Sequence, residues 1–536
     1  MEHSRLTRSK ISKNAGKSAE KPAVVKKPAA ARKSATGKNK AIRDIRQDAE
    51  KMAAAFQAVT ENIATRRIEA YEARTAPMGE ALADKDLKKY QEAYQENPVA
   101  NALATLPASY LAENRAVLQE MNYTYSDILP RCPGATSQSN SGRCWLFAAL
   151  NAMRFYIIKN LNLNDYFELS EAYLFFYDKI ERSLFFLEKM LELRDRPFTD
   201  PVVFGMTHVS RPVDDGGTFG FFRNLIEKYG IVPKSCYGES FNTQCSEEMN
   251  EILWSKLGQF AHYIRTSGKS EAALRKQMRN EMMPEIYSLM VRFLGAPPKS
   301  FTWSYNESGD NVESVREKGT HHRLPDLTPR GFYDTYVVPY YNPQEKVVLR
   351  HDPRKNIRSN TVYSSEHHGH MVGAPPNVDF NVDLAVLKKA VADSITAEQP
   401  VWFACDVGKD FNPEYSLLST EAFNYSGLFQ TDFLTDKAAM LEIGLSGATH
   451  AMLIVGVDKT DKQDYVKWRV ENSWGEWPGE DPGYLQMSDA WFDRFVYEAV
   501  VNLDLLPDEL QKIYGENQYK PIYLDYNDPF GAVAVK

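Results

Sequence analysis

The chain has 536 residues, of which 43% are hydrophobic and 25% are charged, and its net charge at pH 7 is -7. These values are typical of globular proteins and exclude a collagen-like chain, a disulfide scaffold and extensive disorder. The longest stretches without Asp, Glu, Lys or Arg are 97–112 and 443–457. Both are shorter than the roughly 20 apolar residues of a membrane-spanning helix, so no membrane protein is expected.

The first 40 residues differ from the remainder in charge. They contain 12 Lys or Arg and two acidic residues and carry +10, which leaves -17 for the other residues. Because the segment has few large apolar residues to bury, residues 1–45 are predicted to be a disordered basic tail. A solubilising tail, weak nucleic-acid binding through residues 1–40 and an organelle transit peptide are the alternatives.

Helices are predicted after the tail. Met52, Phe56, Val59 and Ile63 share one helix face, and residues 46–130 are interpreted as an N-terminal helical segment for packing or assembly. Apolar residues recur at three- and four-residue spacing over 165–195 and 220–295, which again predicts helices.

The last third of the chain favours strands. Short runs rich in Val, Tyr, Trp and Phe lie between turn residues. Helices followed by strands within one chain predict the α+β class. The predicted strands are 336–341, 400–405, 451–457, 465–470 and 498–503.

Cys144 is a candidate nucleophile. Residues 138–145 read Gln-Ser-Asn-Ser-Gly-Arg-Cys-Trp and precede an apolar helical run. A thiol in the first turn of a helix faces aligned backbone N–H groups, which are expected to lower its pKa. A buried thiol that only packs is the alternative. The five cysteines include no CxxC pair, which favours free thiols in a reducing compartment over a structural zinc site.

His450 and Asn472 are the candidate partners of this thiol. His450 opens an apolar run, and Asn472 follows 22 residues later within Asn-Ser-Trp-Gly, which suits the next strand of an antiparallel pair. An amide there would orient the imidazole, and Trp474 would shield their hydrogen bond from water. With Gln138 these residues supply a nucleophile, a base, an orienting group and an oxyanion donor. Taken singly, a core histidine and a turn asparagine are the alternatives.

This order of motifs resembles the papain-type cysteine peptidases. The position three residues before the nucleophile, a Cys in secreted papains, is Ser141 here, and 306 residues separate Cys144 from His450. The Ser-Gly-Arg-Cys-Trp variant with a long insertion resembles the bleomycin hydrolase and aminopeptidase C family, from about residue 87 to 536. Further resembling stretches are 170–176, 215–217, 227–230, 406–409 and 467–475.

The resemblance implies a papain-like α+β fold. A helical left subdomain and an antiparallel β right subdomain are expected, with a helical insertion and a C-terminal arm in the active-site cleft. The expected boundaries are 131–234 for the left subdomain, 235–330 for the insertion, 331–505 for the right subdomain and 506–536 for the arm.

The resemblance also implies a role for each matching residue. Cys144 is the nucleophile, and His450 carries the proton, as imidazolium beside thiolate, and delivers it to the leaving amine. Asn472 orients His450. The Gln138 side chain and the backbone N–H of Cys144 form the oxyanion hole.

The family's substrate contacts are expected at three further residues. Gly216 and Gly217 match the position where the papain fold pairs its backbone with substrate, and an ordinary turn is the alternative. The terminal carboxylate of Lys536 is expected to pair with the substrate's free α-ammonium, which makes the enzyme an aminopeptidase. The enzyme is also expected to trim Lys536. Phe530 replaces the family's Met in Asp-Pro-Met-Gly. An endopeptidase, whose arm would not reach the cleft, is therefore the alternative.

The expected protein is a cytoplasmic thiol aminopeptidase of broad specificity for peptides. The resemblance implies a homohexamer and hydrolysis of amide-bearing compounds such as bleomycin, without a cofactor. The His-rich run 366–370 is interpreted as solvated loop residues and not as a metal site, because one carboxylate and no thiol accompany it. His321 and His322 are interpreted in the same way. A nucleic-acid-binding protein that uses the basic tail is the alternative outside the enzymes.

Overall fold

The computed structural model describes residues 94, 97–130, 133–209, 211–307, 320–476 and 481–530. The chain divides after Ala104. Among the described residues before that point there is one complete helix, α1 (Pro98–Leu103). Its first residue is a proline, which is tolerated there because the first backbone N–H of a helix has no partner within the helix. The predicted tail and the helix face of residues 52–63 lie outside the described residues.

Helices predominate in the first part of the remaining chain, as the sequence predicts. No described helix is long and apolar enough to cross a membrane. The helices are α2 (Ala108–Ala112), α3 (Arg115–Gln119), α4 (Cys144–Leu161), α5 (Glu171–Glu192), α6 (Pro201–Phe204), α7 (Phe219–Tyr229), α8 (Phe241–Gln244), α9 (Glu247–Thr266), α10 (Glu271–Gln277), α11 (Met283–Leu294), α12 (Pro329–Tyr336), α13 (Leu384–Thr396), α14 (Tyr425–Phe429), α15 (Lys437–Glu442), α16 (Asp489–Phe495) and α17 (Asp508–Asn517), with π-helical turns at Gly205–Val209 and Met278–Met282.

One large sheet carries most of the strands. Its hydrogen-bonded order is β14-β5-β6-β4-β13-β7-β10-β11-β12-β9-β8, with β1 paired to β10, and β2 and β3 form a separate hairpin. The strands are β1 (Asp127–Ile128), β2 (Phe301–Asn306), β3 (His321–Leu327), β4 (Lys346–Arg350), β5 (Thr361–Ser365), β6 (Asp379–Asn381), β7 (Val401–Cys405), β8 (Phe411–Asn412), β9 (Leu417–Leu418), β10 (His450–Lys459), β11 (Tyr465–Glu471), β12 (Tyr484–Ser488), β13 (Val496–Asn502) and β14 (Ile522–Leu524).

The observed elements confirm the α+β class and correct two details. The central pairs β7–β10, β10–β11 and β11–β12 are antiparallel, but β12–β9, β4–β6 and β14–β5 are parallel, so the sheet is mixed. The strand predicted at 336–341 is wrong. Tyr336 ends α12 and packs on Trp303 from that helix, and a turn follows.

Helix α4 is the core helix that carries the candidate nucleophile. Fourteen of its 18 residues are buried, and a helix that is apolar on all sides belongs inside a core. It packs against β10. The Trp402 indole on β7 donates a hydrogen bond to the Trp145 carbonyl at 3.2 Å, so the start of the helix is also fixed against the sheet.

A buried ion pair joins α4 to the end of β11. Arg154 on the helix donates to Glu471 at 2.9 Å, and Asn151 donates to the same carboxylate oxygen at 2.8 Å. All three side chains are buried. Because Glu471 directly precedes Asn472, this contact sets the distance between the helix of Cys144 and the strand of Asn472.

We predict that Glu471→Ala destabilises the protein strongly. Removing one partner of a buried pair leaves Arg154 uncompensated, which costs about 3–5 kcal/mol. Glu398→Ala is the matched control, since Glu398 pairs with Lys159 of the same helix at an exposed site and such pairs contribute about 0–1 kcal/mol. Thermal unfolding of both variants checks this, and equal shifts in Tm would contradict it.

Candidate active site

Cys144 is the first residue of α4 and is only 1% exposed. Burial raises the pKa of this thiol to about 12. The backbone N–H groups of Ala451, Trp145 and Cys144 itself have the opposite, smaller effect, because they favour the thiolate. The expected lowering of the thiol pKa by the helix terminus is therefore present as a contribution but is outweighed by desolvation. The contact with Ala451 places the thiol beside the start of β10.

His450 lies at that start and is oriented as the sequence predicts. Its Nε2 lies 2.9 Å from Asn472 Oδ1. An amide oxygen only accepts, so Nε2 carries the hydrogen and Nδ1 is the basic nitrogen. Trp474 covers this pair at 4.9 Å between ring centroids. Burial lowers the pKa of His450 to about 4, although the bond to Asn472 opposes this.

Ser473 connects Gln138 to Asn472. The Ser473 hydroxyl donates to Gln138 Oε1 at 2.6 Å, its carbonyl accepts from the Gln138 backbone N–H at 2.8 Å, and its own N–H donates to Asn472 Oδ1 at 2.8 Å. This fixes which side of the Gln138 amide is oxygen. One hydrogen of its Nε2 is donated to the Ser141 carbonyl at 2.6 Å.

Asp215 holds the loop before the nucleophile in place. Its carboxylate accepts from the Gly142 backbone N–H at 3.0 Å, from Lys179 at 2.7 Å, from Asn250 at 2.6 Å and from the Ser246 hydroxyl. Burial alone would raise the pKa of Asp215, but the Lys179 ammonium and these donors hold it well below its usual range. The loop is therefore bonded to α5 and α9 through one ionised carboxylate.

Gly216 and Gly217 adjoin this carboxylate. The Arg182 guanidinium donates to the Gly216 carbonyl. A Cβ on Gly217 would lie 2.4 Å from the Trp145 indole, and real Cβ atoms do not approach so closely. The second glycine is therefore required for packing on the residue that follows Cys144.

The C-terminal arm is docked up to Phe530. Its last strand, β14, pairs in parallel with β5. Arg354 forms a two-point ion pair with Asp528, at 2.9 and 3.1 Å. The buried Phe530 ring lies 4.1 Å from the Arg350 guanidinium, and its carbonyl accepts from Ser365 at 2.9 Å. Phe530 thus occupies a specific site.

The docked arm is connected to the strand of His450. Phe530 packs edge-on against Tyr497, whose hydroxyl donates to Ser446 at 2.7 Å. Ser446 donates to Asp406 at 2.8 Å, and Asp406 also accepts from Thr449 at 3.2 Å. Because Thr449 directly precedes His450, a continuous chain of contacts runs from the arm to the candidate base.

A cavity of about 390 Å³ lies beside the nucleophile loop. Its walls include residues 140–142, Gly216, Met206 in the π-helical turn and Tyr526 of the arm. A Cβ on Gly205 would lie 2.5 Å from the Tyr526 ring, so the π-helical turn makes room for the arm. The cavity is bounded by both the catalytic loop and the arm.

The His-rich run corrects one prediction. His370 is 2% exposed and stacks on Phe221 at 4.0 Å between ring centroids, so it is packed and not solvated. Burial also lowers the pKa of His368, to about 4. Among residues the structure describes, no group of three or more His, Cys, Asp or Glu is placed to hold a metal ion. His321 and His322 lie on β3, not in a loop.

The sequence predictions missed three residues of the site. Ser473 lies inside the Asn-Ser-Trp-Gly motif, and Asp215 directly precedes the two glycines. Both therefore lie in motifs that the sequence analysis singled out, but their side chains were not predicted to contribute to the site. Arg182 had no such signal. Lys536 and Cys132 lie outside the described residues, and the described cysteines Cys144, Cys236, Cys245 and Cys405 are free thiols.

Comparison with known proteins gives the family. The peptidase C1-like family matches residues 80–531. Human bleomycin hydrolase is 36% identical over 78% of this chain and 90% of its own length, and aminopeptidase C of Lactobacillus delbrueckii is 37% identical over 74% and 86%. The crystal structure of PepW from Lactobacillus rhamnosis superposes with a TM-score of 0.78 at 35% identity, over 84% of this chain and 98% of its own. The chain therefore belongs to the peptidase C1-like family, in the group of bleomycin hydrolase and aminopeptidase C.

Proposed function

We propose that this chain, a cysteine aminopeptidase by its family, releases single N-terminal residues from peptides through an acyl-thioester on Cys144. The observation that carries the proposal is that Cys144 lies beside the backbone N–H of Ala451, the residue after His450, while His450 binds Asn472 and Gln138 binds Ser473. These bonds support His450 Nδ1 as the base and the Gln138 Nε2 group as the oxyanion donor.

The reaction follows from this geometry as two acyl transfers. Cys144 Sγ attacks the carbonyl carbon while its proton passes to His450 Nδ1, and His450 then gives that proton to the leaving amine. Water attacks the thioester with His450 as base. The remaining N–H of Gln138 and the backbone N–H of Cys144 bind the oxyanion, and one such donor is worth about 3–4 kcal/mol.

The proton is expected to stay within the thiol–imidazole pair across the neutral range. Burial opposes an isolated thiolate, whose pKa is about 12, and an isolated imidazolium, whose pKa is about 4. Transfer from Sγ to Nδ1 creates both charges together, so their attraction offsets the two desolvation costs. Between these two pKa values, the thiol and the imidazole together hold a single proton.

The docked arm supports an aminopeptidase over an endopeptidase. Phe530 is fixed by Arg350 and Ser365, and residues 531–536 follow it in the sequence. We propose that these residues continue into the cleft, block its non-primed side and place the Lys536 carboxylate, or that of the residue left after trimming, against the substrate's α-ammonium.

Further properties are proposed from the free thiols, the exposed apolar surface, the family resemblance and the charge of the tail. The free thiols fit a reducing cytoplasm. Exposed apolar side chains between Phe429 and Leu445 fit the interface of a homohexamer. Broad specificity and hydrolysis of bleomycin-like amides follow from the family resemblance alone. The +10 charge of residues 1–40 supports weak nucleic-acid binding as a second activity.

We predict hydrolysis of free-amino aminoacyl coumarin amides but not of their N-acetylated twins, and no turnover by Cys144→Ala. The free ammonium is needed to pair with the arm, and the thiol is needed for acyl transfer. Turnover of both substrates would support the peptidase activity but contradict the proposal that the arm blocks the cleft. Turnover of neither by folded protein would favour the binding role of the tail.

We predict that His450→Ala lowers the alkylation rate of Cys144 by iodoacetamide at pH 7 by at least about 100-fold. Without the base the buried thiol ionises only near pH 12. His208→Ala is the control, since His208 stacks on Phe204 in the π-helical turn. Peptide mapping follows Cys144 alone, and an unchanged rate would show that the thiol is activated without His450.

We predict that Arg354→Leu releases the arm and gives activity on N-acetylated peptides. The substitution removes both bonds to Asp528, and a buried charge without its partner is strongly unfavourable. Arg330→Leu is the matched control, because Arg330 pairs with Asp334 at a half-exposed site. If neither variant cleaves N-acetylated peptides, Asp528 does not hold the gate.

A further inference from the structure

We infer that Arg143 is a positioning residue for the oxyanion donor: through the Ser141 hydroxyl, its guanidinium holds the loop before the nucleophile in the conformation that orients the Gln138 side chain. The inference rests on the proposed acyl transfer and adds a residue that acts on its oxyanion group from behind. Arg143 has no exposed surface, so it can act only through the residues that it contacts.

Gln138 and Ser141 are hydrogen-bonded to each other in both directions. The Gln138 Nε2 group donates to the Ser141 carbonyl at 2.6 Å, and the Ser141 hydroxyl donates to the Gln138 carbonyl at 2.6 Å. Between them lies Ser139, whose φ of 52° is in the left-handed region. A residue other than glycine stays in that region only where the surrounding contacts hold it there. The two bonds close this turn, and the orientation of the Gln138 amide depends on it.

Arg143 sets the direction of the hydroxyl bond. Its Nε donates to the Ser141 hydroxyl oxygen at 2.9 Å. A guanidinium can only donate, whereas a hydroxyl both accepts and has one hydrogen to give. Because Ser141 accepts from Arg143, its own hydrogen is directed to the Gln138 carbonyl. A charged donor makes a stronger hydrogen bond than a neutral one, and consecutive hydrogen bonds polarise each other.

Glu239 and two aromatic rings hold the guanidinium in place. Arg143 Nη1 lies 3.0 Å from both carboxylate oxygens of Glu239, which precedes α8. The guanidinium carbon lies 5.2 Å from the ring centroid of Phe147 on α4 and 5.4 Å from that of Phe175 on α5. The guanidinium is therefore anchored to three parts of the chain, and the Nε bond extends this anchor to the loop.

A purely structural ion pair is the alternative role for Arg143, and Ser141 separates the two roles. An ion pair that only stabilised the fold would need Glu239 but not the Ser141 hydroxyl. Ser141→Ala removes that hydroxyl and leaves the groups that contact the guanidinium at Glu239, Phe147 and Phe175 in place. Loss of oxyanion binding in this variant is thus specific to the positioning role.

The test measures kcat for a free-amino coumarin amide and the Ki of leucinal with the full-length enzyme. Cys144 adds to this amino aldehyde, a C–S bond forms, and the former carbonyl oxygen takes the place of the oxyanion. We expect Ser141→Ala and Arg143→Met each to lower kcat and to raise Ki by at least about tenfold. KM should change by less than about threefold, because the contact acts in the transition state. Alkylation of Cys144 by iodoacetamide forms no oxyanion and should also change by less than about threefold.

A double variant shows whether Arg143 acts through Gln138. In the Gln138→Ala background, Arg143→Met should lower kcat by less than about threefold further, because the side chain that it positions is gone. Lys388→Met is the matched control, since Lys388 is also a buried cation and binds Asp489 and Asp493 at 2.5 and 2.7 Å. Its kcat and Ki should equal those of the native enzyme.

An unchanged Ki in Ser141→Ala would overturn the inference, even if Arg143→Met failed to fold. Full additivity with Gln138→Ala would overturn it too, as would an alkylation rate that falls in parallel with the rise in Ki, since either result indicates a general structural role. All three results leave the proposed function standing. Absence of turnover of every free-amino amide by the native enzyme would instead overturn the proposed function, and the inference with it.

Discussion

The ionised carboxylate of Asp215 is the constraint on which the rest of the site depends. A buried charge of this kind is tolerated only when its oxygens are fully hydrogen-bonded, and here the donors come from Gly142, Lys179, Ser246 and Asn250. Two helices and the nucleophile loop must therefore come together at one point. The backbone turn before Cys144 is held by the Asp215 carboxylate, which has no role in the proposed acyl transfer.

The last residue of β11 and the two residues that follow it provide the second set of constraints. Glu471 binds Arg154 on α4, Asn472 binds His450, and Ser473 binds Gln138. Each contact crosses to a different element, so a small displacement of the strand end would disturb all three. These three residues therefore fix both the position of the helix that carries Cys144 and the orientations of His450 and Gln138.

The sequence predicts those parts of the structure that depend on local patterns. The helix starting at Cys144, the strand starting at His450 and the antiparallel strand ending just before Asn472 follow from spacing that the chain itself displays. The run at 336–341 has strand-like composition, but packing on Trp303 makes it the end of a helix and a turn. His370 is buried because Phe221, far away in sequence, covers it, and no local pattern records such a contact.

The proposed mechanism does not require a separate thiolate or a separate imidazolium before the reaction. Burial penalises either ion alone, so in the proposed mechanism charge separates only within the pair. In the proposed mechanism, the same low-dielectric surroundings would strengthen the hydrogen bonds that Gln138 and the backbone N–H of Cys144 make to a developing oxyanion. A site more open to water would ionise the groups more easily but stabilise the transition state less. Under the proposal, closure by the arm would therefore serve the chemistry as well as the selection of substrate.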